Sequence, residues 1–322
     1  MSELARGGRR GGAASHEPGY VRLLRSGELG ERVRRAVERL GACDLCARRC
    51  GCDRTQGKAG AVCRTGRQAV VHSFGPHHGE EDCLRGWNGS GTIFFSHCNL
   101  RCVFCQNWDI SIKGHGVERT AEELAGLMLR LQEHGCHNIN LVSPSHVVAQ
   151  ILEAVLLAAG RGLRLPLVYN SGGHDSLEGL ELLDGVVDIY MPDMKYGDDE
   201  TARRCSKVRG YVEANRAAVR EMHRQVGDLT LGQGGLALRG LLIRHLVLPD
   251  GLAGTREVAR FVEREISGDS AFNLMDQYRP CHRAAECDFL DRRVTPDEFS
   301  WARQEVATAG LNNILEGSAW LD

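Results

Sequence analysis

The stretch TAEELAGLMLRLQEHGCHNINLVS, Thr120 to Ser143, joins a segment of helical apolar spacing to the short apolar run NINLVS. A helix feeding a strand is half of a βα repeat, and the same texture continues outward in both directions. Upstream stands GTIFFS, directly ahead of a cysteine-rich loop. Downstream come HVVAQILEAVLLAAG, LPLVYN, SLEGLELLDG and VVDIYMPD, then a helix-rich excursion from Asp198 to Gly227. LLIRHLVLP, the helix GTREVARFVEREIS, the run FNLMDQ and a helix from Thr295 to Gly310 close the series. Six strands alternating with helices predict an α/β fold with a parallel sheet, a partial (β/α)6 TIM-like barrel.

In such folds the C-terminal ends of the strands carry the site. Here those ends read SHCNLRC, SPSH, NSGGHD, PDMK, LPDG and DQYRPC. All are polar or contain glycine or cysteine, which places a site at the barrel mouth. The predicted organisation is a flexible tail over 1–19, a helical and cysteine-rich N-terminal module over 20–88, and the barrel over 89–322. The helical part of that module is YVRLLRSGELGERVRRAVERL, Tyr20 to Leu40, which delivers the chain to its first cysteines.

Composition narrows the partners. Forty basic against 42 acidic side chains leave a formal net charge of −2, so no bulk attraction to nucleic acid or to an anionic membrane is expected. The most apolar long segment, VVAQILEAVLLAA, is interrupted by Gln150 and Glu153 and is shorter than the roughly 20 residues that span a bilayer. The N-terminal MSELARGGRRGGAASHEPG lacks the apolar core of a secretory signal, and a cytoplasmic location is expected. Thirteen cysteines at that address read as metal ligands or reactive thiols rather than disulfides.

Cys98, Cys102 and Cys105 lie in HCNLRCVFCQN, on the loop behind the first predicted barrel strand. Gaps of three and two residues let the backbone curl and aim three sulfurs at one centre, an arrangement that selects zinc or an iron–sulfur cluster. One reading is a closed structural zinc site that borrows His97 or a distant cysteine. The other is a 4Fe-4S cluster with three irons tied to cysteine and one left open to a substrate atom; openness is what makes a metal centre catalytic.

CNLRCVFC resembles the cluster motif of the radical S-adenosylmethionine (radical SAM) superfamily, including the aromatic Phe104 before the last cysteine. GSGTIFFSHCNLRCVFCQNWDIS, HNINLVSPSH, VYNSGGHDSLEGLELLDGVVDIYMPDMKY, IRHLVLPDG and FNLMDQYRPC further resemble proteins related to pyruvate formate-lyase activating enzymes, over most of the chain from about Cys43. The resemblance implies a radical SAM oxidoreductase with catalytic Cys98, Cys102 and Cys105. Such an enzyme cleaves S-adenosyl-L-methionine reductively, and the 5′-deoxyadenosyl radical takes a hydrogen from a substrate. It implies Phe104 on the adenine side, Asn107 as a polar neighbour, Asn170 and Ser171 at the ribose, Asp193 and Lys195 at a cofactor-binding strand end, and Arg244 near the methionine carboxylate. The superfamily's glycine-glycine-glutamate signature for the methionine amine is replaced here by VSPSH, so backbone carbonyls at Ser143 and Pro144, or the side chains of Ser145 or His146, take that role. The target implied is a glycyl-radical enzyme, with a small molecule or another peptide as the alternative, and the electron donor expected is a reduced flavodoxin or ferredoxin. A different class, a non-catalytic zinc or iron–sulfur electron carrier, requires that the triplet take an ordinary fourth ligand.

Upstream, CDLCARRCGCDRTQGKAGAVC offers Cys43, Cys46, Cys50, Cys52 and Cys63. Four of them, with Cys52 as the spare, fill a second metal site of zinc or iron–sulfur type. The interleaved Arg48, Arg49 and Arg54 read as a solvated face. HSFGPHHGEEDC groups His72, His77, His78, Glu80, Glu81 and Cys83, either as metal ligands or as a polar loop leading into the barrel, the second being preferred. Cys281 and Cys287 are expected to face the substrate, and Cys136 and Cys205 to be buried thiols.

Overall fold

The computed structural model describes residues 17–287 and 289–316; most of the expected flexible tail lies outside the described residues. The chain opens with two amphipathic helices, α1 (Gly19–Ser26) and α2 (Glu28–Glu38), separated by the left-handed Gly27. A stretch with little regular structure carries the first cysteines to β1 (Ala69–His77) and the short α3 (Asp82–Arg85). The barrel unit then runs β2 (Ser90–Phe95), β3 (Val117–Arg119), α4 (Ala121–Glu133), β4 (Ile139–Val142), α5 (Val148–Gly160), β5 (Leu167–Ser171), α6 (Leu177–Leu183) and β6 (Ile189–Pro192). After α7 (Asp199–Ser206) and α8 (Tyr211–Val226) come β7 (Thr230–Leu231), β8 (Ala237–Leu246), α9 (Thr255–Glu265), β9 (Ala271–Met275), α10 (Pro296–Ala309) and β10 (Ile314–Glu316).

All six expected strands are present, as β2, β4, β5, β6, β8 and β9, and each pairs in parallel with the next. Strands buried on both faces read as unbroken apolar runs, and Ile139, Leu141, Leu167 and Val168 are fully buried. The sheet order is β10-β9-β8-β6-β5-β4-β2-β1-β3, with β7 off the path beside β8. Four strands lie outside the sequence expectation: β1, the short β3 and β7, and β10. β10 adds a further parallel strand on β9, and β1 pairs antiparallel to β2.

β1 corrects the expectation of a polar loop. His72, Ser73 and Phe74 are exposed while Ala69 and Val71 are buried, so the polar texture of VVHSFGPHH belongs to a strand near the sheet edge. The sheet is open but curved. The segment after β1 reaches across its interior, where Asn273 of β9 donates to Glu81 at 2.7 Å.

α1 and α2 share one apolar core with the barrel helices. Tyr20 is fully buried and its hydroxyl donates to the Leu165 carbonyl at 2.9 Å. This cover explains why VVAQILEAVLLAA is apolar on nearly every side: α5 lies between α4 and α2. Val148, Ile151, Leu152 and Val155 are fully buried, each contributing roughly 1.5–3 kcal/mol. Among the described residues no helix is long and apolar enough to cross a membrane.

Candidate active site at the strand C-termini

The register brings the six strand ends together. Phe94 pairs with Val142, Val142 with Asn170, Ser171 with Pro192, an isolated bridge joins Asp193 to Arg244, and Leu246 pairs with Met275. Three non-glycine residues at these ends, His97 (φ 67°), Ser143 (φ 59°) and Asp250 (φ 54°), hold left-handed backbone, a conformation that costs energy and collects at functional sites. His97 packs against Gly114, where any side chain would meet its ring, and the five residues before Gly114 form one π-helical turn, Asp109–Lys113.

On this loop Cys98, Cys102 and Cys105 lie within electrostatic reach of one another. The Cys98 sulfur accepts the Leu100 amide at 3.4 Å, Cys102 lies 2.9 Å from the Ser206 hydroxyl, and Cys105 lies 3.1 Å from that of Ser111. Burial, followed by the neighbouring Cys102 sulfur, pushes the Cys98 thiol up to about 12 and the Cys105 thiol to about 11. Bare, these are poor acids; they ionise when a bound metal compensates the charge, releasing protons. Across from them stands Lys195, paired with Asp193. Burial opposes its charge, yet Asp193 and Cys102 hold its pKa above the ordinary lysine value. The Tyr211 hydroxyl accepts the Lys195 amide at 3.0 Å, and Asn215 donates to the carbonyls of Gly173 and Asp193 at 2.9 and 3.1 Å. That framework fixes the lysine's backbone opposite the sulfurs.

The donor set fits an iron–sulfur cluster. Three buried or half-buried thiols face a lysine, a sulfur-only donor set of the kind that binds an iron–sulfur cluster.

The remaining expected residues are distributed as follows. Phe104 is buried, its ring edge-on to Tyr278 and Tyr196 at 5.8 and 6.5 Å between centroids. Asn107 is exposed, and its carbonyl accepts the Ile110 and Ser111 amides. Asn170 is half-buried and its carbonyl accepts the Ser143 amide at 2.9 Å. The Ser171 hydroxyl donates to Asp175 at 2.7 Å and accepts the Gly173 amide, which commits it to shaping the glycine turn. Ser145 and His146 are buried; a ring nitrogen of His146 lies 3.0 Å from the Ser96 carbonyl, and burial first, then the Arg54 cation, pushes its pKa down to about 3. Arg244 lies between two carboxylates that sequence reasoning assigned to a loop: 3.7 Å from Glu80 and 3.5 Å from Glu81. His72, His77 and His78 follow β1 and the residue after it, with differing exposure, and form no metal set among the described residues.

Cys136 and Cys205 are buried thiols, as expected. Cys287 is half-buried and packs with Cys205, Phe104 and Tyr278 beneath the cysteine loop; Cys281 is half-buried nearby. The solvated face expected of Arg48, Arg49 and Arg54 holds for Arg49 alone, which pairs with Glu178 at the surface. Arg54 is 1% exposed, and half-buried Arg48 donates to the Asn99 carbonyl at 2.6 Å. Ser206, Ser111, Asn99 and Asp175 lay beyond sequence reasoning, since each acts through a contact with no local pattern.

A parallel-dominated α/β sheet with three thiols gathered at the C-terminal end of its first parallel strand defines the class: an α/β protein with a sulfur-rich candidate site at its strand ends. Residues 92–236 match the family model of the radical SAM superfamily, so the chain carries a radical SAM domain. An uncharacterized protein of Methanocaldococcus jannaschii, MJ0674, is 32% identical over 284 residues, covering 85% of this chain and 77% of that one. Among solved structures, a radical SAM methyltransferase from Sphaerobacter thermophilus matches at a TM-score of 0.48 and 16% identity, over 71% of this chain and 67% of that one. The FeFe-hydrogenase maturase HydG from Carboxydothermus hydrogenoformans matches at 0.47 and 14%, over 68% and 50%. A radical SAM domain implies an enzyme that uses a 4Fe-4S cluster and S-adenosylmethionine.

Proposed function

We propose that this chain generates a 5′-deoxyadenosyl radical and uses it to abstract hydrogen, with Cys98, Cys102 and Cys105 holding the cluster. The observation that carries this reading is the arrangement of three thiols at the barrel mouth opposite Lys195. When bound, the cluster supplies the one electron that splits the sulfonium of S-adenosylmethionine into methionine and the radical. Lys195 and Asp193 offer opposite charges to the amino-acid end of that molecule, and the left-handed turn at Ser143 shapes the neighbouring strand end. Tyr196, Tyr211 and Tyr278, all nearly fully buried, keep water from beneath the site.

For the target, the segments that resemble pyruvate formate-lyase activating enzymes favour a glycine of a partner protein. The partner's Cα–H bond breaks, its hydrogen atom passes to the 5′ carbon, and the glycine keeps the unpaired electron. A reduced flavodoxin or ferredoxin supplies the cluster's electron. The test is transfer of deuterium from a glycine-deuterated glycyl-radical enzyme into 5′-deoxyadenosine. Cleavage without deuterium in the product turns the reading toward a small molecule or another peptide.

A further inference from the structure

A second group of sulfurs lies outside this site. Cys43, Cys46 and Cys63 are buried and Cys50 half-buried, and Cys46 is within electrostatic reach of the other three. Arg54 is set among them, 1% exposed. Its Nε donates to the Thr65 carbonyl at 2.8 Å, one terminal nitrogen to the Cys43 sulfur at 3.3 Å, and the other to the Gly66 carbonyl at 3.4 Å. Among the described residues Arg54 forms no ion pair with a carboxylate; the side chain it donates to is that of Cys43, with Cys46 and Cys63 also close to it.

A guanidinium does not deprotonate in a protein, and a buried charge without a counter-charge costs several kcal/mol. Carbonyl dipoles meet part of that cost, and sulfurs ligated to a metal would meet the rest. Four thiolates packed together are tolerated when a metal holds them.

The group is also wired to the first one. Half-buried Arg48 lies within electrostatic reach of Cys46 and Cys50 on one side and Cys98 on the other, and donates to the carbonyl of Asn99. Asn99 in turn donates to the His174 carbonyl at 2.6 Å, which also accepts the Ala47 amide. Arg101 donates to the Val62 carbonyl at 2.9 Å, and Cys63 and Cys98 line one narrow cleft. Zinc has no redox chemistry and would make no use of such proximity.

We propose that Cys43, Cys46, Cys50 and Cys63 hold a second iron–sulfur cluster, that Arg54 is its buried counter-cation, and that it passes electrons to the cluster at Cys98, Cys102 and Cys105. A one-electron protein donor of flavodoxin or ferredoxin type reduces the outer cluster and is itself oxidised by one electron. That electron moves to the inner cluster and then to the sulfonium, whose bond to the 5′ carbon breaks to give methionine and the radical. The relay deepens the proposed function; the metal site stands apart from it.

The test uses the full chain carrying C98A, C102A and C105A, reconstituted anaerobically and checked for folding by circular dichroism. About four irons and four sulfides per chain are expected, with a reduced-cluster signal in electron paramagnetic resonance. A folded triple variant that binds zinc instead, or no metal, overturns the site. In that background Arg54→Met should lower the cluster's midpoint potential, or abolish loading, while Arg54→Lys loads and stays near the parent value. A potential unmoved by Arg54→Met overturns the counter-ion role. In the unsubstituted chain mixed with reduced flavodoxin and freeze-quenched, the outer cluster should reduce before the inner; the reverse order overturns the relay. The triple variant's iron count does not depend on S-adenosylmethionine cleavage. Protein that loads both clusters and leaves that substrate intact would sink the proposed function and leave the second site standing.

Discussion

Replacing Glu80 with glutamine should stabilise the fold by an amount that grows with pH. The Glu80 side chain is 7% exposed, inside the sheet, 3.7 Å from Arg244. Burial raises its pKa from 4.5 to about 7; Arg244 works against the rise, and Glu81 and Asp193 add to it. Because the folded value lies above the unfolded one, the native state holds this proton more tightly between pH 4.5 and 7. Ionisation of Glu80 therefore costs stability, in full above pH 7. At about 1.36 kcal/mol per pKa unit, the cost is about 3 kcal/mol at pH 8 and about 1 kcal/mol at pH 5. Glutamine keeps the shape and stays neutral at every pH, so E80Q should gain about those amounts. The assay is urea denaturation of the anaerobically reconstituted protein and variant at both pH values. An equal gain at the two, or a loss at pH 8, would refute the reasoning, the second by showing Glu80 to be a firmly paired carboxylate of Arg244.

Other outcomes follow from the same geometry. His146, His174 and His245 are buried, and burial, the largest cause in each, pushes them down to about 3, 4 and 4. Their unfolded forms take up protons below about pH 6.5 and the folded ones do not, so stability falls with acid: about 4 kcal/mol from pH 7.5 to 5.5, of which Glu80 returns about 2. A denaturation midpoint unchanged or higher at pH 5.5 would contradict this. Gly173→Ala places a Cβ 2.1 Å from the Asp193 carbonyl at φ +70°; a loss of about 2 kcal/mol or more is expected, with weaker S-adenosylmethionine binding by equilibrium dialysis. Lys195→Met should leave three-cysteine cluster loading intact by iron count and weaken S-adenosylmethionine binding at least tenfold, about 1.4 kcal/mol; unchanged affinity removes Lys195 from the cofactor site.

The barrel strands were legible because parallel strands buried on both faces appear as apolar runs, and Gly91–Phe95, Ile139–Val142 and Leu167–Tyr169 do so. β1 was not, because it lies near the sheet edge, with polar His72 and Ser73 exposed and Pro76 near its end. The helical character of α1 and α2 was readable, but not their docking on α5, which is a contact across more than a hundred residues of sequence. In the site, the cysteine spacing carried its own signal. The partners of those cysteines did not: Ser206 reaches Cys102 from α7, and Arg54 buries itself among thiols only once the loop has folded. Arg48 and Arg54 show why a basic run misleads: charge in sequence says nothing about which guanidinium a sulfur cage will enclose.

The central claim, that Cys98, Cys102 and Cys105 hold a cluster that opens S-adenosylmethionine, is tested most directly by anaerobic incubation of the reconstituted protein with S-adenosylmethionine and dithionite, measuring 5′-deoxyadenosine. The account predicts its formation in the unsubstituted chain and its loss in each of C98A, C102A and C105A. Cluster-loaded protein that yields none would contradict it.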